Sequence, residues 1–174
     1  HYLGGETADV GDVVRTMAVN GTMAARWPKN KLITNDKIQA GDVIVGFSSY
    51  GQTTWENEYN SGIGSNGLTS ARHDVLSKFY AEKYKESYEN ALADDVVYIG
   101  SHKMPDEFEG YTAGQLLLSP TRTYAPLLKV LFENYFDAIH GLIHCSGGGQ
   151  TKCMKYLPGN FRVVKDNLFE PPII

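Results

Sequence analysis

The sequence is short of three things, and each shortage removes a class of protein. Two cysteines among 174 residues are too few for a disulfide framework, and Cys145 and Cys153, eight positions apart, do not have the spacing of a metal cluster. Such sparing use fits a reducing cytoplasm. The longest apolar runs, around residues 43–47 and 115–118, fall far below the ~20 residues that span a bilayer, so no membrane segment is expected. Basic residues are not in excess either: 16 Lys and Arg face 20 Asp and Glu, a formal charge of −4, and no stretch concentrates the cations. Nucleic acid, which is gripped mainly through its phosphates by cationic faces, is not an expected partner.

What remains is an ordinary globular composition, 42% hydrophobic and 21% charged, at a length that supports about one domain with one core. The chain begins at His1 without an initiator Met or signal pattern and stops on Glu170-Pro171-Pro172-Ile173-Ile174, which reads as a fragment.

Along the chain, residues 10–26 hold two short β-type runs parted by Asn20-Gly21, a dipeptide suited to a tight turn, and predict a hairpin. Residues 27–31 are polar and turn-forming and mark a domain boundary. The β-branched run at 43–47 predicts a buried core strand. Residues 48–67, rich in Ser, Gly, Asn and Tyr, predict a long loop of the functional or mobile kind. Helical periodicity follows over 68–88, with Asn66-Gly67 at its start and Tyr80, Tyr84 and Tyr88 as packing residues on one face. Residues 89–112 read as an exposed, charged insertion. A second helix opens at Ser119-Pro120-Thr121 and runs through Leu127, Leu128, Leu131 and Phe132. Residues 138–144 predict a strand, followed by glycines and a short helix over 151–156.

Three small-residue segments carry the candidate chemistry: Gly4-Gly5-Glu6-Thr7-Ala8-Asp9, Gly64-Ser65-Asn66-Gly67, and His144-Cys145-Ser146-Gly147-Gly148-Gly149. Glycines let backbone N–H groups converge on an anion without Cβ interference, and a following helix N-terminus adds about half a positive charge, so phosphate is the natural guest. Glu6 and Asp9 offer carboxylates to a hard cation such as Mg²⁺, or are simply solvated. His140 and His144 share one side of the chain and lack a third metal ligand; packing roles compete with an acid–base role for His144. His144 and Cys145, adjacent on a strand, would point to opposite faces and cannot form a catalytic pair. Arg122 is suited equally to forking onto a phosphate and to pairing with a carboxylate.

Taken in order, G-G-E-T-A-D-V at 4–10, A-G-D-V-I-V-G at 40–46, G-S-N-G-L at 64–68, L-L-S-P-T-R-T-Y at 117–124, H-G-L-I-H-C-S-G-G-G at 140–149 and Y-L-P at 156–158 resemble the aminoimidazole ribonucleotide synthetase family, the phosphoribosylformylglycinamidine cyclo-ligases of purine biosynthesis. The resemblance implies an α+β fold, mainly that family's C-terminal domain, with a mixed β-sheet and helices packed against it. Residues 1–26 would be the tail of an N-terminal ATP-binding and dimerisation domain, and 27–174 a C-terminal domain truncated at its end. It further implies a cytoplasmic homodimer in which ATP, with Mg²⁺, phosphorylates the formyl amide oxygen of formylglycinamidine ribonucleotide before ring closure. The isolated piece would be inactive. By position in the motifs, Gly4, Gly5, Glu6 and Thr7 would bind nucleotide, with Glu6 on the metal. Ser65, Asn66, Gly67, Thr121, Arg122, Ser146, Gly147, Gly148 and Gly149 would bind substrate and phosphate, and His144 would handle the proton or the formyl group. The sequence departs from the family pattern in a longer loop over 50–64, in the insertion at 89–112, and in Cys145-Ser146, where a hydrophobic residue and Thr are usual. Other ATP-using members of the superfamily, which make formylglycinamidine ribonucleotide or selenophosphate or mature hydrogenases, and a non-catalytic phosphate-binding domain are the competing expectations.

Overall fold

The computed structural model describes residues 11–13, 15, 21–145 and 148–173, with only the backbone of Ser65 and Asn66. The expected hairpin at 10–26 falls largely outside these residues; within them, 21–26 form no strand.

The described elements are α1 (Gly64–Val75), α2 (Phe79–Lys83), β1 (Glu107–Phe108), β2 (Tyr111–Thr112), α3 (Ala113–Leu117) and α4 (Ala125–Tyr135), with 3₁₀ turns at Lys29–Lys31, Asn35–Lys37, Lys85–Ser87, Phe136–Ala138 and Gly149–Tyr156. The fold is mixed α+β in general terms, but its described sheet is one antiparallel ribbon pairing Glu107 with Thr112 and Phe108 with Tyr111. Its turn places Glu109 at φ +49° and Gly110 at φ +88°, the two positive values that match the right-handed twist of a two-residue hairpin. None of the described helices is long and apolar enough to cross a membrane.

The core lies where α1, the 88–98 segment and α3 meet. Leu76, Val97, Tyr98 and Leu117 form its buried cluster, and Ile63, Leu68, Ala71, Val75, Tyr80, Tyr88 and Leu92 pack around it. Two expectations from the sequence therefore need correction. Residues 89–112 are not a solvated insertion, because Val97 and Tyr98 are 1% and 4% exposed and close the core. The helix expected over 68–88 starts earlier, at Gly64, and stops at Val75, because Leu76 turns extended and joins a parallel bridge to His102, with the Ser77 N–H donating to the His102 carbonyl at 2.9 Å. Tertiary pairing there outcompetes helical periodicity. The tyrosines do pack as expected: Tyr80 stacks on Tyr84, and Tyr88 meets Tyr98 edge-on.

Two expected strands are absent. The run at 43–47 has no hydrogen-bonded neighbour among the described residues, and Val43 and Val45 remain 85% and 72% exposed. An apolar run satisfies only half the requirement for a core strand; the other half is a partner on each side. At 138–144 the Leu142 N–H is taken by the Asn35 side-chain oxygen at 3.1 Å, so a donor that a ladder would use is already engaged. The second helix also begins later than expected, at Ala125 with Pro126 in its first turn, because Ser119 to Arg122 are engaged with the loop before α1.

α3 is short and is started by a reciprocal cap: the Gln115 N–H donates to Thr112 Oγ1 at 3.2 Å, and the Thr112 N–H donates to the Gln115 side-chain oxygen at 2.9 Å. This fixes the orientation of Ala113, Leu116 and Leu117, all buried.

Candidate functional site

The site is built around the start of α1. Gly64 opens the helix at φ +64°, a value that favours glycine, and no side chain caps the helix at Ile63. An N-terminus of this kind presents backbone N–H groups and a positive dipole end. The 119–122 segment is laid directly against it: a Cβ on Gly64 would stand 3.4 Å from Thr121 Oγ1. Two buried polar residues secure that approach. Asn60 donates from Nδ2 to the Pro120 carbonyl at 2.7 Å, and Ser61 donates from Oγ to the Leu116 carbonyl at 2.6 Å while its N–H reaches Ser119 Oγ at 3.1 Å. Both are almost fully buried and both are satisfied, which is the condition for polar groups inside a core.

Arg122 organises the loop that precedes this point. Its Nε and Nη2 fork onto the Glu56 carboxylate, each at 2.8 Å; Nη1 donates to the Ser48 and Tyr50 carbonyls, and Nη2 also to that of Gly51. All five guanidinium N–H groups are thereby used. Of the two expectations for Arg122, carboxylate pairing is the one seen here. The Arg122 hydrogen bonds, joined by the Thr53 N–H and opposed by burial, hold the Glu56 carboxyl down to about 2. Tyr124, whose hydroxyl donates to the Ser48 carbonyl at 3.3 Å, has its phenol pushed up by burial, with Arg122 opposing and Glu56 adding to the shift. Gly51 and Asn60 close the loop with mutual backbone hydrogen bonds of 2.9 Å. The expected long loop is thus an ordered strap.

The third glycine segment has its own support. His140 Nδ1 lies 3.0 and 2.9 Å from the two Asp42 oxygens, and Gly141 packs so closely on residues 35–38 that a Cβ would come within 2.6 Å of Ile38 Cδ1. Asp42 is held below the usual carboxylate range by the Gln39 N–H first, then by His140. Beyond this anchor, Gly148 and Gly149 take φ +84° and +51°, and His144 lines a shallow hollow of about 250 Å³ with Leu142, Ile143, Lys152 and Tyr156. Cys145 and Cys153 are free thiols.

The structure therefore sets Gly64 against Thr121 and His144 in the hollow, with Gly148 beside Lys152, a residue of that hollow, whereas Arg122 faces Glu56 and the loop before α1. Gly4, Gly5, Glu6, Thr7, Ser146 and Gly147 lie outside the described residues, as do the side chains of Ser65 and Asn66. Among the described residues no group of three or more His, Cys, Asp or Glu could hold a metal. Sequence reasoning missed Glu56, Asn60 and Ser61. They sit in a stretch read only as polar loop, and nothing local announces partners 55 to 66 positions away.

No family model matches the chain. Curated relatives do. The phosphoribosylformylglycinamidine cyclo-ligase of Thermococcus kodakarensis is 35% identical over 176 residues, covering 95% of this chain and 42% of the relative. That of Methanobrevibacter smithii is 32% identical over 157 residues, 90% of this chain and 37% of the relative. That of Methanocaldococcus jannaschii is 32% identical over 172 residues, 98% of this chain and 40% of the relative. The chain spans about two fifths of the length of these relatives. It is, over nine-tenths or more of its own length, a relative of the phosphoribosylformylglycinamidine cyclo-ligases.

Proposed function

We propose that this chain is part of an ATP-dependent cyclo-ligase that converts formylglycinamidine ribonucleotide to aminoimidazole ribonucleotide. The observation that carries the reading is the relation to proteins of that name across almost the whole chain. The start of α1 supports it, since an N-terminus opened by glycine, preceded by Ile63 whose side chain gives no cap, and flanked by Thr121 suits a phosphate group.

In this reading ATP gives its γ-phosphoryl group to the formyl amide oxygen. The amidine nitrogen attacks the activated carbon, and the phosphate leaves with the C–O bond as the imidazole closes. The chain's own part is electrostatic and positional. Backbone N–H groups of Gly64 to Gly67, with Ser65, Asn66 and Thr121, hold a phosphate of the substrate. Ser146 and Gly147 to Gly149 hold a second anionic group beside His144, which accepts or returns a proton at its ring nitrogen. Arg122 acts on this site through the loop it ties to Glu56 rather than as a direct ligand, because its donors are spent. Gly4, Gly5, Glu6 and Thr7 take the nucleotide, with Glu6 as the carboxylate for its Mg²⁺, an ion that would offset phosphate charge.

The test is ATP hydrolysis by the intact protein with and without formylglycinamidine ribonucleotide, following the aminoimidazole product. ADP and product are expected together in equal amounts. ATP turnover that requires a different acceptor would keep the nucleotide reading and overturn the substrate.

A further inference from the structure

Asp12 stands three residues after the Gly4 to Asp9 segment and is held from two directions. Its Oδ2 accepts from Arg72 Nη2 at 2.7 Å and faces His73 Nε2 at 2.9 Å; its Oδ1 accepts the Glu89 N–H at 2.7 Å; and its backbone carbonyl takes another bond from Arg72. The cluster is largely buried, with side-chain exposures of 13% for Asp12, 18% for Arg72 and 8% for His73.

The far side of His73 settles the direction of the histidine bond. The Tyr98 N–H points at His73 Nδ1, 3.1 Å away. An N–H can donate only to a lone pair, so Nδ1 is unprotonated, the ring proton sits on Nε2, and Nε2 donates to Asp12. One imidazole thus links the residue-12 segment to the buried Tyr98 backbone. Outside it runs an exposed strap in which Arg15 Nη1 meets Glu89 Oε2 at 3.0 Å and its Nε donates to the Glu86 carbonyl at 3.4 Å. Thr69 also donates to the Val13 carbonyl at 3.4 Å.

This is more than a surface staple needs. Arg72 and His73 belong to the last turn of α1, the helix whose first turn carries Gly64 to Gly67. We propose that Asp12, Arg72 and His73 are positioning residues that clamp the chain just after the nucleotide-binding segment to the end of α1, so that one helix sets the nucleotide and phosphate segments relative to each other. The proposal rests on the assignment of Gly4 to Thr7 to nucleotide given above.

The test measures Mg·ATP binding by calorimetry to the intact protein and to Asp12→Asn, Asp12→Glu and Arg72→Lys. Asp12→Asn keeps the shape and removes the charge. It is expected to weaken Mg·ATP roughly tenfold or more, the scale on which remote misplacement acts, and to speed trypsin cleavage after Arg15; Asp12→Glu is expected to recover part of the affinity. The loss should appear more strongly in KM for ATP than in kcat, a split that a general loss of folding would not give. Unchanged Mg·ATP affinity in Asp12→Asn would overturn the clamp and leave the nucleotide reading standing. Absence of Mg·ATP binding by the unsubstituted protein would overturn both. Should Asp12→Asn fail to fold, the ¹⁵N shifts of His73 in the unsubstituted protein decide: a proton on Nε2 is expected, and one on Nδ1 would overturn the clamp.

Discussion

Arg122 and Glu56, 66 positions apart in sequence, meet fork to fork, with both Nε and Nη2 at 2.8 Å from the two carboxylate oxygens. The Arg122 side chain is only 4% exposed and that of Glu56 16%, so the pair is desolvated as well as bidentate. A pair of this kind matters less for what it adds than for what its loss leaves behind.

Truncating the arginine removes the charge partner of a half-buried carboxylate and one hydrogen bond from each of three carbonyls at once. Arg122→Ala is expected to lower unfolding free energy by about 3 kcal/mol, read from urea midpoints. Glu56→Gln, which retains an acceptor, should cost clearly less. Equal losses in the two variants would show that the carbonyl contacts contribute nothing.

The same pair sets an acid limb on stability. Glu56 is held down to about 2 in the folded chain against an ordinary value of 4.5, so the unfolded chain takes up the proton first. Its contribution is complete above about pH 4.5 and fades as pH falls toward about 2. Asp12 adds in the same sense: burial alone would raise it, but His73, the Glu89 N–H and Arg72 outweigh burial and lower it. Urea midpoints should therefore drop through this window, and Glu56→Gln should flatten the drop.

Close backbone approach gives a sharper contrast. A Cβ on Gly100 would stand 2.1 Å from the Val75 carbonyl oxygen, whereas one on Gly21 would meet nothing within 4 Å. Gly100→Ala is expected to cost roughly 3 kcal/mol by overpacking, and Gly21→Ala to stay within about 0.5 kcal/mol. Thermal melts of the two variants side by side are sufficient.

The contrast between core and exposed apolar residues can be tested likewise. Leu116 is 1% exposed and Val43 85%. Leu116→Ala should destabilise by about 2–5 kcal/mol and Val43→Ala by less than about 0.5 kcal/mol. A large loss at Val43 would mean that residues 43–47 are buried in solution.

Local signals were legible in the sequence where local forces decide the outcome. The apolar spacing from Leu68 to Val75 and from Leu127 to Phe132 did mark helices, although the first of them starts at Gly64 rather than at the expected Asn66-Gly67. Boundaries shifted where a distant partner intervened, as His102 does at Leu76 and Asn60 does at Pro120. The strand reading at 43–47 rested on composition alone, and composition cannot supply a neighbour. For the candidate site, the glycine segments and Thr121 could be named from their motifs, and the structure sets Gly64 against Thr121. Glu56 and Asp12 could not, because a carboxylate reads as solvated until the fold places a guanidinium beside it.

The buried cluster draws on a nearly continuous stretch from Asn60 to Leu117, while large apolar side chains before and after it, among them Val43, Val164 and Leu168, are more than half exposed. Cooperativity is therefore unevenly shared. Amide hydrogens in α1, at Val97 and Tyr98, and in α3 will exchange last, through global opening, whereas those of residues 21–47 and 157–173 will exchange through local fluctuations that leave the central stretch folded.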